Sequence, residues 1–236
     1  MFNATGNVWG RGQCERAVAV IRKENPEFAV AWKLFQDTAV EALDNPGKWF
    51  QVTKYVSFGY ATSAPFPRLS MQLASGRKIH YPLPEKAPIT MIKTRLTVRT
   101  GEPESFKWTR VKGHLTEDQA AAVRGISGSY MTSFHSWELT FWGHVKGTKY
   151  GRVQTFGGDA LQSATQGTGV DLLFHGILEA ERQGYLSFFV VHDQGLAPAN
   201  NGTLEGYLSA LCTVPDWFKG FPLEADGAVA KSYSKS

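Results

Sequence analysis

Apolar positions change their period several times along this chain, and each change marks an element. From Gln13 to Leu43 the pattern predicts two helices, divided where Asn25 can cap and Pro26 can take the first helical position. In the second, Phe28, Trp32, Phe35, Ala39 and Leu43 recur at alternating four- and three-residue steps, a packing stripe that leaves Lys33, Gln36 and Asp37 outside it. Asp44-Asn45-Pro46-Gly47 ends that helix. A strand-like run lies between Trp49 and Phe58. Arg68 to Leu73 then alternates up to Ser75-Gly76 and returns through Lys78 to Tyr81, which predicts a hairpin with one buried face. Residues 85 to 135 mix charges, Gly and Ser, show no clear period beyond a short helix around Glu117 to Arg124, and read as an insertion. Trp137 to Phe141 alternates as a strand.

A glycine-marked loop after Tyr150 opens a predicted helix from about Ala160 to Gln183, stopped by Gly184. The apolar run Leu186 to Val191 then reads as a buried strand. It delivers His192 and Asp193 to a tight reversal, and the chain leaves through Leu196 and Ala197. Beyond a loop and cap at Asn200 to Thr203, Leu204, Tyr207, Leu208 and Leu211 mark a helix that must end before Pro215, and a final strand-like stretch starts at Glu224. Met1 to Gly12 reads as loop and Lys231 to Ser236 as a frayed tail. The order predicts an α+β fold: an antiparallel sheet with packing helices, preceded by a helical pair in residues 1–48.

With 236 residues, 42% of them hydrophobic, the chain can bury a substantial core. Its pI near 9.0 is compatible with a polyanionic partner, although a formal charge of +4 is also common in proteins that never touch nucleic acid. Cys14 and Cys212 are far apart and lack a metal-binding context, so reduced thiols are expected. No apolar run reaches a membrane span and no leader pattern opens the chain, so a soluble, cytoplasmic protein with no membrane partner is expected.

Chemistry concentrates at the reversal. A carboxylate where a buried sheet ends is costly unless a metal, a cation or backbone donors use its charge, yet Asp in a hairpin turn more often serves the turn itself. Gln162 and Gln166 share a helix face, and their amides suit the degenerate acceptors of the DNA minor groove, although on the residues alone an ordinary helix surface is the simpler account. Arg77 beside the Ser75-Gly76 turn suits a DNA phosphate or plain solvation. A metal phosphohydrolase with a His-Asp pair is a competing class, but that pair sits on a helix with further ligands, whereas Phe188 to Val191 argue strand and His144 and His175 lack the pattern.

Gln166-Gly167-Thr168-Gly169 followed by Val191-His192-Asp193-Gln194 resembles, in order and spacing, the carboxy-terminal palm of family A DNA polymerases of the DNA polymerase I and phage type. There a Gln-Gly-Thr-Ala-like helix precedes a Val-His-Asp-Glu hairpin. Leu73 to Pro84 resembles a Leu-Pro-Ser-Gly-Arg signature of phage members, and Pro215 to Leu223 resembles their closing Pro-x-Trp-x-x-Gly-x-Pro-Leu step. The resemblance implies that residues 1–48 finish the fingers and 49–236 form the palm, with the insertion at about 85–135. It also implies that Asp193 holds Mg2+ in a two-metal site, that His192 meets the primer terminus, and that Gln162, Gln166, Gln194 and Arg77 contact primer-template DNA during nucleotidyl transfer from a dNTP.

Two departures qualify that expectation. Gln194 stands where the family's turn carries Glu. The family's first metal-binding motif, its nucleotide-binding fingers helix, thumb and exonuclease are nowhere in the sequence. The expectation is therefore one part of a split polymerase, inactive alone, completed by a second polypeptide that carries those elements; a non-catalytic DNA-binding or structural remnant of the palm is the alternative.

Overall fold

The computed structural model describes residues 23–63, 65–95, 106–123, 129–145, 149–200 and 202–232, with Cys14, Ala17, Val20 and Ile21 ahead of them. The fold is α+β, with antiparallel sheets and few helices, as the sequence pattern predicts. Two compact units interleave along the chain. One takes the residues up to Val52 together with Phe58–Ser70 and His80–Leu161; the other takes Thr53–Ser57, Met71–Ile79 and the residues from Gln162 onward.

Helix α1 (Pro26–Asp44) follows residues that are helical at Cys14, Ala17, Val20, Ile21, Lys23 and Glu24. Asn25 does not cap α1. Its side-chain amide donates instead to the Ile21 carbonyl at 2.9 Å, closing the helix behind it. The expected stripe is buried at Phe35 and Ala39 but not at its start, where Phe28 is 44% exposed: the first turns of α1 project beyond the surface that covers its later turns. Asp44 is followed by Asn45, whose N–H returns to Ala42 O, and the helix ends as the Asn-Pro-Gly stop requires.

Strands β1 (Trp49–Thr53), β2 (Val56–Ala61), β3 (Arg68–Gln72) and β4 (Lys78–Pro82) form a four-stranded sheet in sequence order, the arrangement that short connections impose on antiparallel neighbours. The β3–β4 hairpin buries both faces of β3, not one. Leu69, Ser70 and Met71 are all buried, and Ser70 is tolerated there because its hydroxyl meets His80 Nδ1 at 2.8 Å. Phe58 of β2 packs edge-to-face on Phe35 of α1, ring centroids 6.2 Å apart.

Among its described residues, the segment without a legible pattern is mostly sheet. Strands β5 (Glu85–Arg95), β6 (Phe106–Lys112), β7 (Ser129–His144) and β8 (Tyr150–Thr155) form a second antiparallel sheet in the order β6-β5-β7-β8. Helix α2 (Glu117–Ala122) opens with a full capping box between Thr116 and Gln119 and covers one face of that sheet with Ala120. Under it lie Thr90, Ile92 and Thr94, each at most 2% exposed. Thr90 Oγ1 donates to Gly113 O and accepts from Leu115 N, both at 2.8 Å, so the hydroxyl is fully used.

Helix α3 (Gly157–Arg182) begins three residues earlier than the pattern predicts, because Asp159 accepts from Phe156 N at 3.3 Å and holds the first turn. Gly184, at φ +93, ends it: Gly184 N donates to Glu181 O and Tyr185 N to Ala180 O, a Schellman closure. Strands β9 (Phe189–Val191) and β10 (Gln194–Leu196) make a two-stranded sheet, followed by α4 (Leu204–Leu211), capped by Thr203, and a short 3-10 turn at Asp216–Phe218. Ala180, Tyr207 and Ala210 form a core joined by Tyr185, Ala197 and Leu211.

Two further expectations fail. The run Leu186 to Val191 is strand only from Phe189, and it is not buried: Leu186, Phe188 and Phe189 are 61%, 67% and 56% exposed, since a two-stranded ribbon covers them from neither side. The stretch from Glu224 is extended but unpaired; at Gly227 it lies against Leu204 and Leu208 of α4, where no strand offers a ladder. The expected loop at Met1 to Gly12 and the end of the tail, residues 233–236, lie outside the described residues.

Candidate functional site

All six residues singled out in the sequence fall in the unit that contains Gln162 onward. Val191 pairs with Gln194, so His192 and Asp193 are the two central residues of the tightest hairpin turn. His192 carries φ +54, a left-handed conformation that His tolerates better than most side chains. Neither strand of the ribbon exceeds three residues, and the tip, His192, Asp193 and Gln194, is exposed.

The ribbon is seated through its base. A Cβ on Gly195 would lie 2.7 Å from the Tyr207 hydroxyl and 3.9 Å from Ile177 on α3, so the bare backbone rests directly on the phenol. The same hydroxyl meets Ser187 Oγ at 3.0 Å, and the Tyr207 ring lies 5.8 Å from that of Tyr185. Tyr207 therefore fixes both sides of the ribbon's base to the helices.

Gln162 and Gln166 are exposed on one side of α3. At the same four-residue step that side continues through Val170, Phe174 and Leu178, which are 45%, 51% and 52% exposed. The outward face of the helix is thus polar in its first half and apolar in its second.

Arg77 reaches α3 by a different route. Its Nε donates to Asp171 Oδ1 at 2.6 Å and a terminal nitrogen to Gly167 O at 2.7 Å, while Ser75 Oγ donates to Asp171 Oδ2 at 2.5 Å. Asp171 is 12% exposed at its side chain, Arg77 44%. A Cβ on Gly167 would lie 2.8 Å from Leu73 and 3.0 Å from Arg77, which explains glycine inside the helix. The guanidinium thus lies against Asp171 and Gly167 and is engaged in holding the β3–β4 turn to the helix. The seat of the ribbon at Ile177 is ten residues further on, about 15 Å along the axis. Arg77 meets α3 at Gly167 and Asp171, next in sequence to Gln166; the His192-Asp193 tip is anchored at the other end. Sequence reading missed Asp171, Ser75 and Tyr207, and the signal was modest: an Asp in an otherwise apolar Val-Asp-Leu-Leu step.

No group of three or more His, Cys, Asp or Glu that could hold a metal ion occurs among the described residues. Asp193 contributes one carboxylate and Gln194 a neutral amide, so these residues do not make a magnesium site by themselves. No helix of the described residues is long and apolar enough to cross a membrane.

Set against known proteins, the chain is 33% identical over 99 residues to the DNA polymerase of Bacillus phage SP02. That stretch is 41% of this chain and 15% of the phage enzyme. The chain thus contains a region related to a phage DNA polymerase. No protein-family model matches it, and no solved structure matches.

Proposed function

We propose that the chain is a carboxy-terminal part of a family A-type, DNA-directed DNA polymerase, supplying palm elements and primer-template contacts while the remaining catalytic elements lie on a partner chain. The observation that carries this reading is the exposed His192-Asp193 turn, held on a ribbon whose base is seated on Tyr207 of α4 while its apolar sides stand open. A tip presented in this way suits a surface that receives further protein and DNA. Polymerase similarity over 99 residues supports the same reading.

In this proposal Asp193 offers one carboxylate toward Mg2+, with the other metal ligands supplied from outside this chain, and Mg2+ when bound would serve nucleotidyl transfer from a dNTP. His192 lies against the primer terminus, Gln194 hydrogen-bonds beside it, and Gln162 and Gln166 follow the minor groove by donating to and accepting from base edges. Arg77 positions the helix that carries those amides, and its remaining exposed edge lies beside backbone phosphates. Leu186, Phe188 and Phe189 meet the partner polypeptide.

Primer extension tests the reading. The chain alone is expected to extend nothing, and a mixture with the polypeptide that co-purifies from its native host is expected to extend a primed template with magnesium. Extension by the isolated chain would refute the division of labour, and a mixture that binds primer-template without extending it would favour the structural remnant.

A further inference from the structure

The sheet β6-β5-β7-β8 has a second face that the polymerase reading does not use. Helix α2 covers the face bearing Thr90, Ile92 and Thr94; strand alternation puts Phe106, Trp108, Arg110 and Lys112 of β6 on the opposite one. In register, Trp108 stands across from Lys93, and Met91 stands between Arg110 and Phe134. Phe106, Trp108 and Phe134 are 39%, 43% and 51% exposed. An antiparallel sheet with one solvated face ordinarily fills it with small polar residues, since exposed rings gain nothing from water.

The rings are ordered. Trp108 and Phe134 meet edge-to-face with centroids 5.4 Å apart, and Lys93 Nζ lies 4.4 Å from the Phe106 centroid and 6.0 Å from that of Trp108. Cations alternate with the aromatics on the same face: Lys93, Arg95, Arg110 and Lys112. Glu138 of β7 is paired with Arg110 at 3.4 Å. Flat, pre-positioned rings interleaved with positive charge are what stacked bases and a phosphate chain require together. A protein surface of ordinary composition would match the rings but not the excess of cations among the described residues of this face. A duplex would satisfy the cations but keeps its base faces stacked away from the rings.

We infer that the open face of this sheet binds single-stranded nucleic acid, stacking bases on Trp108, Phe134 and Phe106 while Lys93, Arg95, Arg110 and Lys112 follow the phosphates. This site is independent of the His192-Asp193 turn and stands whether or not the chain serves a polymerase.

The test is a fluorescence-anisotropy titration of the full chain with labelled oligothymidylate, oligouridylate and a duplex of equal length, at two salt concentrations, with quenching of tryptophan emission recorded in parallel. The single strands are expected to bind more tightly than the duplex, to quench tryptophan, and to weaken as salt rises. Oligothymidylate against oligouridylate separates DNA from RNA as the source of the strand, and either preference supports the site. Trp108→Ala and Phe134→Ala are each expected to lower affinity about tenfold, Trp108→Phe to recover most of it, and Arg110→Glu to flatten the salt dependence. Lys48→Glu, an exposed charge change on the loop before β1, controls for net charge and is expected to lower affinity far less. Equal binding of wild type, Trp108→Ala and Phe134→Ala, preference for the duplex, or no binding of either single strand would overturn the inference; unchanged circular dichroism of the variants excludes misfolding as the cause of a loss.

Discussion

Two glycines of α3 should respond to the same substitution with opposite signs. At Gly169 nothing lies within 4 Å of an added Cβ, so Gly169→Ala adds only helix propensity and should stabilise by about 0.5–1 kcal/mol. At Gly176 the added Cβ would lie 2.9 Å from Leu211 Cα and 3.0 Å from its carbonyl carbon, and closer still to the carbonyl oxygen. These are backbone atoms at the end of α4, so no side chain can swing aside. The helices must separate by several tenths of an ångström or more, and overpacking of that kind costs about 1–3 kcal/mol, outweighing a propensity gain of about 1 kcal/mol at most. Because Tyr207 on α4 seats the ribbon, the displacement also reaches the His192-Asp193 turn. Urea unfolding of wild type and both variants, followed by circular dichroism, reads the difference within one helix of one unit. A Gly176→Ala protein as stable as Gly169→Ala would refute the close approach of α3 and α4.

Other substitutions separate stability from activity. In the proposed complex with a partner chain, Asp193→Asn should lower primer extension by several orders of magnitude while primer-template affinity, measured by anisotropy, changes little, because on that reading phosphate contacts elsewhere hold the DNA. Gln194→Ala should lose no more than one hydrogen bond, about tenfold in rate at most, and Gln194→Glu should be neutral or mildly activating in a magnesium titration. His192→Gly removes a side chain from a left-handed position, so the melting temperature should hold or rise slightly while extension falls; a drop in both would show that the imidazole serves the fold. Arg77→Ala leaves Asp171 with Ser75 alone and should cost about 1 kcal/mol in chemical denaturation, more than a solvated arginine would.

Much of the carboxy-terminal half was legible because its signals are local. Period, the Gly184 stop and the Thr203 cap delimit α3 and α4, and a two-residue turn between apolar runs places His192 and Asp193 at a tip. What failed depends on surroundings. Leu186 to Val191 is apolar enough for a core, and period cannot distinguish a core strand from an exposed one. Arg77 finds Asp171 at a separation of 94 residues, which no local pattern encodes. Of the long strand β7 only Trp137 to Phe141 was legible; its first half escaped because aromatic and small polar residues there blur the alternation that marks a half-buried strand. Phe106-Lys-Trp-Thr-Arg-Val-Lys112 does alternate, but with rings and cations in place of aliphatic side chains.

The seat at Gly195 sets a tolerance. The height of the turn above α4 is set by the Tyr207 hydroxyl resting against bare backbone at Gly195, a repulsive wall that rises steeply within a few tenths of an ångström. Asp193 stands two residues from that contact. A carboxylate so mounted keeps its elevation while remaining open to solvent, and it does so without any bond of its own. Any side chain at position 195 would act as a shim beneath it, raising the tip in proportion to its size.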